Sequence, residues 1–126
     1  MMFRLQAWRK KFAVAISGIL WSFRSQCSFW IHLPITAAVI GLAVWLDIEP
    51  WRWVAVIFAI TIVFSAELLN TSIEQLVQAL HPHHDERIGR ALDAAAGAVL
   101  VASMGAVAVG VVTLGLPILE LVGLYR

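Results

Sequence analysis

Residues 65–80, SAELLNTSIEQLVQAL, close a long apolar run that begins near Trp53. This stretch places two glutamates, Glu67 and Glu74, in a segment whose preceding residues are apolar enough to enter a membrane. A carboxylate at bilayer depth costs a few kcal/mol or more, so chains rarely keep one without a use for it. The two acids therefore indicate a membrane helix that carries a functional site.

Composition supports a membrane protein. Of the 126 residues, 61% are hydrophobic and 13% are charged, and the mean hydropathy is +0.86. A soluble domain of this length needs far more polar surface, so the class is integral membrane. Cys27 is the single cysteine, which excludes an internal disulfide and leaves the redox compartment open.

Three apolar segments predict three transmembrane helices, at about residues 29–47, 52–80 and 90–117. Crossing the hydrocarbon takes roughly 20 residues, which all three ranges can supply. Because the sequence shows no internal repeat and no low-complexity linker, we expect one membrane domain over residues 1–126. The predicted fold class is therefore an all-α integral membrane protein.

Residues 5–25 precede these spans and combine basic with apolar residues. A signal peptide has the same layout, but no small-x-small cleavage site follows here. An amphipathic helix lying in the membrane interface fits the pattern better, because apolar residues recur at helical spacing on one face. Those residues are Trp8, Phe12, Ala15, Ile19 and Phe23.

The positive charges are concentrated on one side of the predicted membrane. Five Lys and Arg residues precede the first span, and Arg87 and Arg90 lie between the second and third spans. Only Arg52 and Arg126 fall in the other set of loops. The positive-inside rule therefore predicts that the N-terminus and the loop around Arg87 face the cytoplasm.

The polar residues of the second span form a stripe. At about 100° per residue, one helix face carries Glu67, Asn70, Thr71, Glu74 and Gln78. Counted from Trp53, Glu67 lies about 21 Å and Glu74 about 31 Å along the axis. Because the hydrocarbon is about 30 Å thick, Glu67 is expected just beneath the cytoplasmic boundary and Glu74 at it. Their separation of about 10 Å favours separate roles, although polar residues also hold membrane helices together.

Other polar residues lie close to the same level. Asp93 opens the third span, where it is either a helix cap or first-turn acid, or a third carboxylate for the site. The preceding loop could be a metal-binding tract. A solvated loop fits better, because its spacing matches no compact ligand set. The loop residues concerned are His81, His83, His84, Asp85 and Glu86.

Carboxylates at a cytoplasmic membrane interface suit phosphoryl transfer. Mg²⁺ typically binds one or two protein carboxylates together with phosphate oxygens. A second carboxylate can take a proton from a substrate hydroxyl. The pattern thus favours transfer from a magnesium nucleotide to an alcohol held in the membrane, where positioning and charge neutralisation do most of the catalysis.

At these residues the sequence resembles the bacterial membrane-embedded diacylglycerol kinase family, which includes the undecaprenol kinases. ELLNTSIEQLV at 67–77 resembles the family signature E-x-x-N-[ST]-x-x-E, and ALDAAAGAVL at 91–100 resembles its A-K-D segment. FAVAISGI at 12–19 resembles its surface helix, and FWIH at 29–32 its F-R-I-H. The resemblance implies a surface helix and three spans per chain, a homotrimer, and active sites between subunits in the bacterial cytoplasmic membrane, open to the cytoplasm.

Carried over by position, the resemblance makes Glu67 the general base that accepts the proton of the lipid hydroxyl. It makes Glu74 a Mg²⁺ ligand and gives the chain Mg-ATP and a lipid alcohol as substrates. The residues assigned to the nucleotide site, besides Glu74, are Asn70, His84, Asp85 and Asp93.

The chain departs from the family pattern at four positions. Gln26 stands where the family has a second metal-binding glutamate; its neutral amide can still offer an oxygen to Mg²⁺. Leu92 replaces the lysine of A-K-D and can contact no phosphate, so the resemblance predicts a thinner grip on the phosphates. Gln78 replaces an aspartate, and Trp30 replaces the arginine of F-R-I-H.

The leading functional interpretation is a lipid kinase that makes phosphatidic acid from diacylglycerol or undecaprenyl phosphate from undecaprenol. His32 favours the undecaprenol branch. A second interpretation is a membrane protein that keeps the kinase fold, with weak or lost catalysis, and binds lipid or nucleotide or is structural. A third is a small proton-coupled exporter, although such exporters usually have four spans. None of the three predicts a nucleic-acid partner.

Overall fold

A computed structural model describes residues 2–81, 83 and 85–124, with side chains from residue 6 onward. Within these residues every regular element is a helix: α1 is Met2–Ser25, α2 is Cys27–Trp45, α3 is Pro50–Leu80 and α4 is Glu86–Leu121. Three of them, α2, α3 and α4, are long and apolar enough to cross a membrane. The chain is therefore all-helical, with three candidate membrane spans.

Local chemistry sets the helix ends. The second helix ends at Trp45, and Asp47 then adopts a φ of 49°, a left-handed conformation that stops a right-handed helix. Pro50 occupies the first turn of α3, where its missing N–H removes no helix hydrogen bond. The fourth helix begins at Glu86 rather than near residue 90, because the Asp85 carboxylate caps it by accepting from the Arg87 N–H at 2.8 Å.

This cap corrects one of the sequence-based interpretations of Asp93. Because α4 starts at Glu86, Asp93 lies two turns inside the helix. It is therefore neither the helix cap nor a first-turn acid, and its side chain is exposed. The assignment of Asp93 to the nucleotide site stays a prediction.

The packing is uneven. Helices α3 and α4 form the main helix pair, while α2 touches both along smaller areas and α1 contacts α2 and α3. Between α1, α2 and α3 lies an aromatic cluster, in which Phe29 of α2 is fully buried. Its ring centroid lies 4.4 Å from that of Phe23 and 5.9 Å from that of Phe64, with which it is stacked. This cluster fixes the start of α2 against α3 at the level where the polar stripe begins.

Most of the long apolar side chains point away from the chain's own core. Trp8 and Phe12 of α1 are 58% and 64% exposed, and α2 and α4 likewise present apolar side chains outward. These surfaces suit lipid or a neighbouring subunit, since large apolar patches in contact with water are rare. The placement of α1 in the membrane interface stays a prediction.

At the other end of α3, a buried arginine ties the helix pair together. Arg52 donates from Nη1 to the carbonyl oxygen of Thr113 at 2.9 Å and to that of Val112 at 3.4 Å. Pro117 has no N–H, so it cannot donate to the Thr113 carbonyl one turn before it. The arginine therefore satisfies a carbonyl that the proline leaves without its helical donor. Arg52 lies in the first turn of α3, close to the predicted start of the second span at about residue 52.

Candidate active site

The polar stripe of α3 lines a pocket of about 290 Å³ that is also bounded by the start of α2 and by α4. The stripe residues follow the i, i+3, i+4, i+7 spacing of one helix face. Four of the five predicted stripe residues therefore reach the same pocket wall, whereas Gln78 is exposed and not part of it. The wall consists of Glu67, Asn70, Thr71 and Glu74 from α3, Gln26, Cys27 and Ser28 around the start of α2, and Ala96 and Val99 from α4.

Glu67 is the most deeply buried acid of the stripe, with 4% of its surface exposed. The Ser28 hydroxyl donates to its Oε2 at 2.9 Å, and His32 Nε2 lies 2.9 Å from its Oε1. Ser28 and His32 are separated by one helical turn, so both side chains leave the same face of α2. A buried carboxylate is costly unless its oxygens are hydrogen-bonded. Here each oxygen has a partner.

Asn70 connects the stripe to its second acid. Its Nδ2 donates to Glu74 Oε1 at 2.8 Å, which fixes the orientation of the amide, because the reverse would set Oδ1 against a carboxylate oxygen. The Asn70 Oδ1 is then left buried without a hydrogen-bond partner among the described residues. Buried polar atoms are nearly always satisfied, so such an atom in a pocket indicates a missing donor or cation.

Gln26 occupies the N-cap position of α2 and makes no side-chain capping hydrogen bond there. Its side chain lines the same pocket as Glu74 and Asn70. The pocket wall thus contains two carboxylates, Glu67 and Glu74, and two amide groups. These offer oxygen ligands, which hard cations prefer.

Other predicted site residues lie away from this pocket. Asp93 is exposed on α4 and is not part of the pocket wall, and Leu92 beside it is half-buried. The Asp85 carboxylate is engaged in capping α4, with Arg87 Nε at 3.8 Å. His84 falls outside the described residues. Among the residues that are described, no group of three His, Cys, Asp or Glu side chains could hold a metal ion.

A second, apolar space of about 550 Å³ lies between α2, α3 and α4. Its lining is aliphatic except for His32 and Ser103, and the Ser103 Oγ is buried without a partner among the described residues. His32 lines this groove, whereas Glu67 lines the polar pocket. The hydrogen bond between them therefore lies where the apolar and polar spaces meet.

Residues 13–114 match the family model described as prokaryotic diacylglycerol kinase. The chain belongs to this family. It is 35% identical to the undecaprenol kinase of Bacillus subtilis (strain 168) over 92 residues, which cover 73% of this chain and 75% of that protein. Diacylglycerol kinase from Escherichia coli (strain K12) is 30% identical over 104 residues, covering 76% of this chain and 84% of that protein.

A third relative, the diacylglycerol kinase of a Synechocystis species, is 36% identical over 111 residues. The match takes in 87% of this chain but 63% of that longer protein. Together with the family model, these relatives identify the chain as a lipid kinase, and a kinase uses ATP as its co-substrate. Its three long apolar helices agree with a membrane kinase.

Two residues that contact the buried Glu67 were not predicted from the sequence as its partners. Ser28 was not singled out at all, and His32 was noted only as a mark of the undecaprenol branch. Their one signal in the sequence is the i, i+4 spacing of two polar residues in an apolar segment, which puts both on one helix face. That they face Glu67 follows only from how α2 packs on α3.

Proposed function

We propose that this kinase transfers the γ-phosphate of ATP to the hydroxyl of a membrane lipid, with Glu67 as the general base. The observation that carries the proposal is the state of this side chain. It is an almost fully buried carboxylate on a helix that is long and apolar enough to span a membrane. Both of its oxygens are hydrogen-bonded, and it lies in the wall of a pocket shared with Glu74 and Asn70. Such a group accepts a proton in a fixed position.

The proposed step conserves atoms and charge. The lipid hydroxyl gives its proton to Glu67 while its oxygen forms the new bond to the γ-phosphorus. The bond between that phosphorus and the bridging oxygen of ADP breaks, and ADP leaves with the electron pair. A protonated Glu67 and a phosphorylated lipid result. Since the transition state is largely dissociative, positioning of the two oxygens matters more than strong base catalysis.

A magnesium ion is the cofactor that this chemistry implies, and the oxygen groups of the pocket fit it. We assign its protein ligands to Glu74 and, as a neutral oxygen, to Gln26, with Asn70 Oδ1 as the buried acceptor that lacks a partner. Mg²⁺ usually keeps only one or two carboxylates and fills its other positions with phosphate oxygens and water. When bound, the ion would neutralise charge on the nucleotide phosphates.

The remaining nucleotide contacts are proposed to come from Asp93, His84 and Asp85, at least partly across a subunit boundary. Asp93 is exposed on α4 rather than in the chain's own pocket, and the apolar faces of α2 and α4 are open. A second copy packed there would cover both. We therefore propose a homo-oligomer, a trimer by resemblance to the family, in the bacterial cytoplasmic membrane with the N-terminus and site facing the cytoplasm.

The acceptor is a lipid alcohol, either diacylglycerol or undecaprenol. His32 in FWIH favours undecaprenol, and one of the relatives bears the name undecaprenol kinase. The departures at Gln26 and Leu92 favour a second candidate, a kinase-fold protein that binds lipid or nucleotide without turnover, because the first removes a negative charge that would hold Mg²⁺ and the second a positive charge that would face the phosphates. No observation favours the exporter.

The decisive experiment supplies the purified protein with [γ-³²P]ATP and Mg²⁺ in vesicles that contain diacylglycerol, undecaprenol or neither. We expect label in the lipid fraction only when a lipid alcohol is present. Glu67→Gln should lower the rate by about 10²–10⁴-fold, as typical for loss of a general base, while nucleotide binding persists. Glu120→Gln, an exposed acid near the far end of α4, is the matched control and should leave the rate unchanged.

Two results would contradict the proposal. Folded native protein that labels neither alcohol, yet still binds nucleotide, would favour the non-catalytic candidate. A Glu67→Gln variant that turns over as fast as the Glu120→Gln control would remove Glu67 from the role of base.

A further inference from the structure

We propose that Ser28 and His32 are positioning residues for the base, with His32 donating its Nε2–H to Oε1 of Glu67 and Ser28 donating to Oε2. The inference rests on the proposed function, since it assumes that Glu67 takes the proton of the acceptor. It adds two residues to the reaction and states what each hydrogen bond does. The action of both is through Glu67, so neither need touch ATP.

The hydrogen bonds from Ser28 and His32 fix the plane of the Glu67 carboxylate. A glutamate carboxylate otherwise rotates broadly about its last torsion. With a donor at 2.9 Å from each oxygen, that rotation would break one of the bonds. Each oxygen keeps a further lone pair, so a substrate hydroxyl can still approach. The two hydrogen bonds therefore fix the orientation of the Glu67 carboxylate and leave it able to accept the proton of the substrate hydroxyl.

The donors themselves are held rigidly. Phe29, which follows Ser28 directly, is fully buried and packs against Phe23 and Phe64 from the neighbouring helices. Because α2 is a continuous helix, this aromatic cluster also fixes His32 one turn further along. The second helix is thus anchored to α3 where it presents its donors, which is how preorganised sites are supported.

The chemistry assigns the tautomer of His32. A carboxylate is only an acceptor, so the ring nitrogen that faces it must carry a hydrogen. Nε2 is 2.9 Å from Glu67 Oε1, and the His32 side chain is 22% exposed while that of Glu67 is 5% exposed. The ring thus shields one oxygen of the base from the apolar groove that His32 lines.

The same bond sets the location of the base. The apolar groove ends at His32, and the polar pocket begins at Glu67. An amphiphilic acceptor has to bring its hydroxyl to that boundary, since its hydrocarbon favours one space and the phosphates of ATP favour the other. A carboxylate that is fixed at this boundary is aligned with both the lipid hydroxyl and the phosphates of ATP. This alignment matters because misplaced reacting groups lower the rate strongly.

The kinetic test compares His32→Met, which fills the space without a donor, with His32→Gln, which restores an N–H at a similar reach. We expect His32→Met to lower kcat by about 10- to 100-fold, the range typical for supporting contacts, without raising the KM for ATP. His32→Gln should recover most of that loss. Thr36→Val, one turn further along α2, is the control. Ser28→Ala added to His32→Met should cost less than the product of the single losses, because the two act on one group.

Two kinetic outcomes would overturn the inference. One is a His32→Met variant with native kcat. The other is a His32→Gln variant as slow as His32→Met, which would assign the imidazole an acid–base role instead of a donated hydrogen bond.

A spectroscopic arm separates the inference from the proposed function. In ¹⁵N-histidine-labelled protein, the His32 Nε2 signal should be that of a protonated nitrogen and should shift in Glu67→Gln but not in Glu120→Gln. If that pattern appears and the native chain phosphorylates no lipid, the proposed function fails while the pairing stands. If the chain is an active kinase but the His32 Nε2 signal does not shift in Glu67→Gln, the inference is wrong while the proposed function is retained.

Discussion

Replacing Arg52 should destabilise the α3–α4 pair, and the loss should depend on a proline in the other helix. Arg52 donates at 2.9 Å to the Thr113 carbonyl, whose normal helical donor is missing because residue 117 is proline. Arg52→Met keeps the length of the side chain and removes the donor. Pro117→Ala supplies an N–H to the same carbonyl from within α4. Combining the two changes measures how far each contact substitutes for the other.

The magnitude follows from the environment of the carbonyl. Hydrogen bonds to charged groups contribute about 1.5–3 kcal/mol in proteins, whereas interhelical side-chain bonds in membrane proteins average only about 0.6 kcal/mol and reach about 1.7 kcal/mol. Thr113 has no alternative helical donor, so the upper part of the membrane range applies. We expect Arg52→Met to cost about 1–2 kcal/mol of unfolding free energy, and about 1 kcal/mol less in the Pro117→Ala background.

Reversible unfolding in mixed detergent micelles, followed by circular dichroism, gives the four free energies of this cycle. Arg90→Met serves as control, since Arg90 forms an exposed pair with Glu86 one turn away, and such pairs are worth about 0–1 kcal/mol. Equal losses from Arg52→Met in the native and Pro117→Ala backgrounds would refute the reasoning, because the arginine would then stabilise the pair by something other than the proline's unsatisfied carbonyl.

Three further outcomes are expected. Gln26→Glu combined with Leu92→Lys should raise lipid phosphorylation by several powers of ten if the native site has lost one contact to Mg²⁺ and one to phosphate, each worth about 2–4 kcal/mol. High native activity with little gain would show that other groups replace them. Hydrogen bonds from Trp51 and Arg52 hold the pKa of Glu49 below its ordinary value of 4.5, so its contribution to stability is present above that value and lost as pH falls below it. Acid titrations of unfolding free energy should therefore flatten in Glu49→Gln, and superimposable curves would count against the contact. In mild detergent the protein should sediment as a homo-oligomer, most simply a trimer; a fully active monomer would contradict this.

The sequence predicts the helical class and the shared wall of the stripe because both depend on local periodicity. Glu67 and Glu74 lie two turns apart on one helix, so their common face needs no knowledge of the neighbours. The start of α4 was harder to predict, since a helix cap depends on a single side chain. Because the Asp85 carboxylate caps α4, the helix begins before the apolar pattern does.

The partners across helices could not be predicted from periodicity. The bond from His32 to Glu67 joins residues 35 apart in the chain, and that from Arg52 to Thr113 joins residues 61 apart. Both depend on how far one helix is rotated and shifted against another, which packing decides. The functional roles of the stripe residues and the assembly of subunits stay predictions for the same reason.

Cys27 is the chain's single thiol, and its exposed side chain lies on the wall of the polar pocket beside Gln26 and Ser28. A spectroscopic reporter can therefore be attached to the native protein at this thiol, because there is no other cysteine to remove. A small environment-sensitive fluorophore on this thiol would lie at the pocket that we propose as the nucleotide site, and its emission should then change when nucleotide binds. A bulky adduct at the same sulfur would instead fill the pocket, and it should stop lipid phosphorylation if the proposed site is correct.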